Sequence, residues 1–146
     1  MHTGIRSAAG WRGGADLIVR TLRSCDDFPE GFATGYEAMP VMKNWVWIAE
    51  KGGETAGVLL AAPMHGLVYI MRLCVREGAP LFTAAMLLRG FMRDTEKRGF
   101  KGYWMHVDPT KELDRRMIPL VKRARGFQLP IPQVMLVGSI ETAARF

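Results

Sequence analysis

Residues 66–99, GLVYIMRLCVREGAPLFTAAMLLRGFMRDTEKRG, decide the fold that this chain can adopt. Residues 67–75 are a nearly continuous run of apolar, β-branched and aromatic side chains that only Arg72 interrupts, which predicts a strand covered on both faces. Pro80 suits the first turn of a helix, because a missing N–H costs nothing there. Apolar side chains then recur at three- and four-residue steps and predict one buried stripe, and Gly99 predicts the end of the helix. The stripe consists of Leu81, Ala84, Ala85, Leu88, Phe91, Met92 and Thr95.

The junction between this strand and this helix is the first functional indication. A short Gly-containing turn leaves backbone N–H groups unpaired at the start of the helix. Those donors and the helix dipole both favour negative charge, so the sequence predicts an anion site at the junction.

The composition is that of a globular protein with its own core. Of 146 residues, 49% are hydrophobic and 23% charged, so we expect one folded domain over residues 1–146. No apolar run reaches the roughly 18 residues of a membrane span. Residues 1–14 lack the apolar segment of a secretory signal and predict a loose arm or an irregular first strand. Cys25 and Cys74 make no disulfide framework, so we expect reduced thiols and a cytoplasmic location.

The net charge of +6 is unevenly distributed along the chain. Residues 1–75 contain 7 Lys and Arg against 7 Asp and Glu, whereas residues 76–146 contain 13 against 7. The excess therefore lies after the central strand. It indicates an anionic partner, which is a nucleic acid, a phosphorylated cofactor or an acidic protein.

The segments on either side of the central stretch predict further helices and strands. Gly52-Gly53 suits a two-residue hairpin turn, so the strands on both sides of it and the central strand form an antiparallel meander. Asp108 and Pro109 suit the N-cap and first position of a later helix. Pro119 should kink or split this helix, and Gly126 ends it. The predicted helices are residues 15–25, a shorter one within 29–42, and 110–125; the predicted strands are 44–51, 55–62, 102–108 and 131–140, with a turn at 63–66. The prolines beside the last strand confine its start to a sheet edge or a bulge, so that strand could pair with a second copy in a homodimer.

The element order resembles that of the Gcn5-related N-acetyltransferase (GNAT) family over residues 15–140. The stretch GETAGVLLAA at residues 53–62 is similar to that family's second and third strands, and RLCV at 72–75 to its fourth strand. KRARGF at 122–127 resembles the end of its last helix. The resemblance implies an α/β (α+β) fold with a central mixed, mostly antiparallel sheet flanked by helices on both faces.

The resemblance also implies acetyl-CoA as the co-substrate and an amine as the acceptor. Acetyl-CoA would lie where the central strand separates from the strand over residues 102–108. The implied contacts are the backbone of Leu73, Cys74 and Val75 and the loop residues Arg76, Gly78, Ala79, Leu81 and Phe82. The loop is about two residues shorter than the family's pyrophosphate loop and lacks its second glycine, and Glu77 there would repel a polyanion. Lys122 stands where the family has a tyrosine as general acid, and would need a lowered pKa.

Two residues of the strand over 102–108 are candidates for the base that the amine requires. His106 can accept a proton at neutral pH, whereas Asp108 would need its pKa raised by burial. The structural alternatives are that His106 is a satisfied side chain and that Asp108 caps a helix. The alternative function is a non-catalytic module with this fold that contacts nucleic acid or an acidic protein through its basic C-terminal half. No histidine or cysteine has the spacing of metal ligands.

Overall fold

A mixed, mostly antiparallel sheet forms the centre of the protein. The computed structural model describes residues 5–6, 16–24, 27–32, 40–129 and 134–145. The eight-stranded sheet has the order β2-β3-β4-β5-β6-β8-β7, and β1 pairs with β5 outside this path. The strands are β1 Ile5–Arg6, β2 Ile18–Thr21, β3 Val46–Lys51, β4 Glu54–Met64, β5 Leu67–Glu77, β6 Gly102–Val107, β7 Phe127–Leu129 and β8 Val134–Ser139. The helices are α1 Thr83–Lys97, α2 Glu112–Arg123 and α3 Ile140–Ala144, with a 3-10 helix at Pro40–Trp45. The predicted α/β fold with a mixed sheet is confirmed.

Two tight hairpins build the predicted meander of β3, β4 and β5. Gly52 and Gly53 connect β3 to β4 with φ values of 60° and 79°, as a type I′ turn requires. His65 and Gly66 connect β4 to β5 in the same way, with φ values of 53° and 80°. The turn that was predicted over residues 63–66 is therefore shorter, because Pro63 still pairs within β4.

β5 contains an extra residue at its centre. Leu60 of β4 pairs with Arg72, while the next residue, Ala61, pairs with Ile70. Met71 is thus the additional residue of a β-bulge, and such an insertion bends the strand and re-aims its side chains. On its other edge, β5 pairs with β6 only from Val68 to Ile70.

The helix after β5 begins later than its sequence predicts and ends where predicted. Thr83 donates its N–H and its hydroxyl to the Pro80 carbonyl, at 3.0 and 2.7 Å. At the other end Gly99 has φ 90°, and the N–H groups of Gly99 and Phe100 close a Schellman motif. Leu81 is 96% exposed, so its predicted place in the buried stripe is wrong. The first helical turn starts only at Thr83, and Leu81 lies in the preceding turn.

Each face of the sheet is covered by different parts of the chain. One buried cluster joins Val68, Ile70 and Leu73 of β5 to Phe91 of α1 and Met117 of α2. The other cluster lies on the opposite face and contains residues of β3, β4 and β5 together with residues from 22–32. Its members are Leu22, Phe32, Val46, Ile48, Val58, Leu60 and Cys74. We call these two surfaces the helix face and the loop face. Among the residues described, α1, α2 and α3 pack on the helix face.

The prediction for residues 15–25 is wrong, because the described part of this segment contains the edge strand β2 rather than a helix. Val19 pairs with Ala49 of β3. Arg20 donates to the carboxylates of Glu50 and Asp27, at 2.9 and 2.6 Å. These contacts form only when β2 pairs with β3. They override the apolar pattern of this segment, which fits both the helical period and the strand period. The predicted shorter helix within 29–42 lies largely outside the described residues.

The last part of the chain differs from prediction in three ways. The N-cap of α2 is Lys111, without a side-chain cap bond, so Asp108 does not cap this helix. Arg125 adopts φ 61° and takes the left-handed position after α2, with Gly126 one residue further. β8 lies between β6 and β7, so it is an interior strand rather than an edge. The sequence reading missed β7 and α3. None of the helices in the described ranges is long and apolar enough to cross a membrane.

Candidate active site

The separation of β5 from β6 creates the candidate site. The two parallel strands pair over only three residues of each, and β5 then continues to Glu77 without pairing to β6. Between Met71 and Val75, β4 is the only described strand that pairs with β5. Unpaired main-chain groups on a central strand are costly unless a ligand or water satisfies them. The backbone of Leu73, Cys74 and Val75, which the family resemblance implies as cofactor contacts, lies along this opening.

Three aromatic side chains lie on the loop face where the strands separate. The rings of Tyr69 and Trp104 stack, with centroids 4.1 Å apart and an interplanar angle of 18°. The His106 ring meets both edge-on, at 5.3 Å from Trp104 and 5.8 Å from Tyr69. Because Tyr103, Met105 and Val107 belong to the cluster on the helix face, strand alternation places Trp104 and His106 on the loop face.

The hydroxyl of Tyr69 orients the His106 imidazole. Tyr69 Oη and His106 Nδ1 lie 3.2 Å apart, and the direction of this hydrogen bond depends on the imidazole tautomer. When Nδ1 carries the proton and donates to Tyr69, Nε2 has a lone pair that can accept another proton. The arrangement can therefore hold a general base at the end of the paired part of β5 and β6.

A cavity of about 390 Å³ lies at the strand–helix junction. The side chains and backbone around it come from β5, the following loop, α1 and α2: Val75, Arg76, Glu77, Gly78, Ala79, Pro80, Leu81, Ala84, Glu112 and Arg116. The Ala79 N–H is already used, because it donates to the Arg76 carbonyl at 3.1 Å. Within the described ranges, the N–H groups of Gly78, Leu81 and Phe82 donate to no carbonyl. The N–H groups of Ala84 and Ala85 also donate to no carbonyl there. These amides fit an anionic group such as a pyrophosphate.

The charged side chains around this cavity balance one another. The Arg76 guanidinium donates to the carbonyls of Thr55 and Glu30, at 2.6 and 3.1 Å, and lies 4.8 Å from the centre of the Phe32 ring. It therefore fixes residues 30–32 on the loop face. Arg116 pairs with Glu112 one helical turn before it. Attraction for an anion must come mainly from the backbone donors at the start of α1.

Solved acetyltransferase structures share this architecture at low sequence identity. Diaminobutyrate acetyltransferase EctA from Paenibacillus lautus, solved with L-2,4-diaminobutyric acid and coenzyme A, has a TM-score of 0.68 at 14% identity, over 85% of this chain and 95% of that one. The ribosomal-protein-S18-alanine N-acetyltransferase of Escherichia coli has 0.61 at 14% identity, over 86% and 94%. PaiA N-acetyltransferase from Thermoplasma acidophilum, solved with coenzyme A, has 0.62 at 10% identity, over 85% and 99%. The chain has the GNAT acetyltransferase fold. At the level of sequence, no family model and no curated protein match it.

Two of the three predicted catalytic residues lie in surroundings that the prediction did not foresee. The hydroxyl and the N–H of Thr110 donate to Asp108 Oδ1, at 2.6 and 2.9 Å, and hold the pKa of this carboxyl below its usual value. A base at neutral pH would need a raised pKa instead. Lys122 is exposed on α2, next to the buried Val121, and does not line the cavity at the strand–helix junction. Of the three, His106 lies on the loop face beside the strand opening, in contact with Tyr69 and Trp104.

The residue that the sequence reading missed is Tyr69. Its only signal was its place in an apolar strand, where a tyrosine usually contributes to the core. Its partnership with His106 depends on the pairing of Tyr69 with Trp104 across β5 and β6, and that register is not visible in the sequence. Within the described ranges no group of histidines, cysteines and carboxylates could hold a metal ion.

Proposed function

We propose that this protein is an acyl-CoA-dependent N-acyltransferase that transfers an acetyl group to an amine. The observation that carries the proposal is the separation of β5 from β6 after Ile70, with the Tyr69–His106 pair at the point of separation. Structures that share the fold include acetyltransferases solved with coenzyme A. The fold alone does not specify an activity, so the proposal depends on the residues at the opening.

The residues around the opening suit the two ends of acetyl-CoA. The free amides from Gly78 to Ala85 would hold the pyrophosphate, and the exposed edge of β5 from Leu73 to Val75 would hold the pantetheine by strand-like hydrogen bonds. Exposed Glu77 opposes this binding, because its charge repels a polyanion. The fit is therefore provided by backbone groups, which a comparison of side-chain motifs cannot detect.

His106 would act as the general base of the transfer. Acetyl-CoA supplies an acetyl group that is activated as a thioester. His106 Nε2 would take a proton from the acceptor amine, so that the nitrogen lone pair can attack the carbonyl carbon. A C–N bond forms and the C–S bond breaks. The attacking nitrogen releases its second proton to solvent, and the leaving thiolate of coenzyme A takes up a proton from solvent. Tyr69 would keep the imidazole in the orientation and tautomer that leave Nε2 available.

Calorimetric titration with acetyl-CoA and a thiol-release assay with a mixture of amines test the proposal. We expect saturable binding, and turnover that falls about 10²- to 10⁴-fold in His106→Asn with little change in acetyl-CoA affinity. A matched control is His65→Asn, in the β4–β5 turn, which should keep both properties. No heat with millimolar acetyl-CoA, or full turnover in His106→Asn, would contradict the proposal.

Several expectations from the sequence stay predictions. The cytoplasmic location, the contact with nucleic acid and the homodimer are among them. No observation on the described residues specifically supports the alternative of a non-catalytic binding module. The basis for a homodimer through an edge β8 is removed, because this strand is paired on both sides.

A further inference from the structure

Arg72 is the one charged residue within the apolar part of β5, and the function proposed above leaves it unused. It is exposed, and no hydrogen bond or ion pair holds its side chain within the described ranges. It pairs with Leu60, whose side chain belongs to the loop-face cluster, and directly paired residues of antiparallel strands point to the same face. Its guanidinium is therefore on the face that carries Tyr69, Trp104 and His106.

The bulge at Met71 produces this placement. In a regular strand, residues 69 and 72 would point to opposite faces, because side chains alternate with a period of two. The extra residue shifts the alternation by one, so Tyr69 and Arg72 point the same way. Bulges often re-aim a side chain next to a binding site.

The position of Arg72 separates it from the predicted phosphate site. Gly78 is six residues further along the chain, which corresponds to about 20 Å in an extended strand. Because Met71 is the extra residue of the bulge, Arg72 is only two ladder positions, about 7 Å, past Tyr69 along β5. His106 is likewise about 7 Å past Trp104 along the parallel strand β6. The guanidinium and the imidazole thus lie on the two sides of the same opening, at similar distances along the two strands.

We propose that the acceptor is a small amine that carries a carboxylate, as an amino acid does. The Arg72 guanidinium would bind the carboxylate through two parallel hydrogen bonds, and the amine would then face His106 Nε2. A single arginine matches the charge and the planar fork of a carboxylate. This inference rests on the proposed function, since it identifies the acceptor class of the same site.

The inference excludes two other acceptor classes. A peptide N-terminus has an amide where an amino acid has its carboxylate, and would leave the guanidinium without an anionic partner. A polyamine would place a second positive charge near Arg72, which costs binding energy. The ring stack of Tyr69 and Trp104 lies on the same face as Arg72 and offers an apolar surface for the side chain of the acceptor.

The test is an acetylation reaction with isotope-labelled acetyl-CoA and an equimolar mixture of the twenty amino acids, their amides, and putrescine. Labelled products are identified by mass spectrometry for the wild type, Arg72→Gln, Arg72→Lys and the control Arg123→Gln, which removes an exposed arginine from α2. We expect a labelled amino acid, with kcat/KM at least tenfold above that of its amide. Arg72→Gln should abolish this preference, Arg72→Lys should retain part of it, and Arg123→Gln should retain all of it.

A binding measurement separates this inference from the proposed function. The ring signals of His106 are assigned by NMR with the His106→Asn variant and followed while the amino-acid mixture is added. Shifts in the wild type that Arg72→Gln removes support the carboxylate site, even when acetyl-CoA does not bind. Products that are amides or acetylputrescine, or preferences that Arg72→Gln leaves unchanged, overturn the inference while the acetyltransferase activity stands. Absence of both labelled amino acids and His106 shifts also overturns it.

Discussion

Substitution of Gly57 by alanine should weaken coenzyme A binding. Gly57 faces α1, on the side of the sheet opposite to His106. A Cβ at this position would lie 2.9 Å from the Cys74 carbonyl oxygen, 3.0 Å from Leu87 Cδ1 and 3.1 Å from Thr83 Cγ2. The Cys74 oxygen belongs to the neighbouring strand and cannot move cheaply. The first turns of α1 must therefore shift away from the sheet, and they carry the amides proposed to bind the pyrophosphate.

The magnitude follows from two opposed effects. Overpacking a well-filled core costs about 1–3 kcal/mol, and replacing glycine by alanine returns about 0.4–1 kcal/mol through the unfolded chain. We expect a net loss of about 1–2 kcal/mol of unfolding free energy, which lowers Tm by about 2–8 °C in a chain of this size. A displacement of the helix start by a few tenths of an ångström should weaken coenzyme A binding by about threefold to tenfold.

The assay combines thermal unfolding with calorimetric titration of coenzyme A. Gly138→Ala is the matched control, because its Cβ would lie 2.7 Å from the Tyr103 ring, on a strand remote from the start of α1. We expect both variants to lose stability and only Gly57→Ala to lose affinity. If Gly57→Ala is destabilised but binds coenzyme A like the wild type, the amides of α1 are not the anion site.

Three further substitutions test other parts of the structure. Glu77→Gln should raise coenzyme A affinity about twofold to tenfold at low salt and less at 0.5 M salt, because it removes an exposed like charge; unchanged titration curves would contradict this. Burial raises the pKa of Tyr103 to about 12, above the usual value of about 10 in the unfolded chain. The unfolded state therefore loses its proton first, and stability should fall by about 1–3 kcal/mol between pH 10 and 12; urea unfolding at pH 8 and 11 should show a smaller fall in Tyr103→Phe. Arg125→Gly should raise the unfolding free energy by about 0.5–1 kcal/mol, because glycine adopts the left-handed conformation without strain; a lower Tm would contradict this.

The sequence predicted the elements whose signals are local. Gly52 and Gly53 fixed the first hairpin, the apolar run fixed β5, and Gly99 fixed the end of α1, because each depends on turn chemistry or on a long pattern. It also predicted correctly that β5 and β6 separate, an expectation that came from the family resemblance rather than from spacing. Local signals therefore predict those residues whose conformation depends on their immediate neighbours in sequence.

The errors fall where long-range pairing decides the outcome. Ile18 and Val19 lie in a strand because β3 offers an edge that they can pair with, and this edge is not visible from their own segment. Asp108 was expected to cap a helix, but its carboxylate instead accepts hydrogen bonds from the N–H and the hydroxyl of Thr110. The pairing of Tyr69 with His106 combines a register across two strands with a ring orientation, and neither leaves a trace in the spacing of residues.

The single additional residue in β5 gives this strand an asymmetric tolerance of changes in length. Deleting Met71 would make Ile70 and Arg72 consecutive residues opposite Ala61 and Leu60, so every later residue would keep its partner and its face. The deletion would remove only the local bend and added twist of the bulge. A residue inserted after Arg72 would instead exchange the two faces for the residues that follow it, and Leu73 would leave the cluster on the helix face. A functional relative can therefore lack the bulge residue, but should not lengthen the stretch between Arg72 and Gly78 by one.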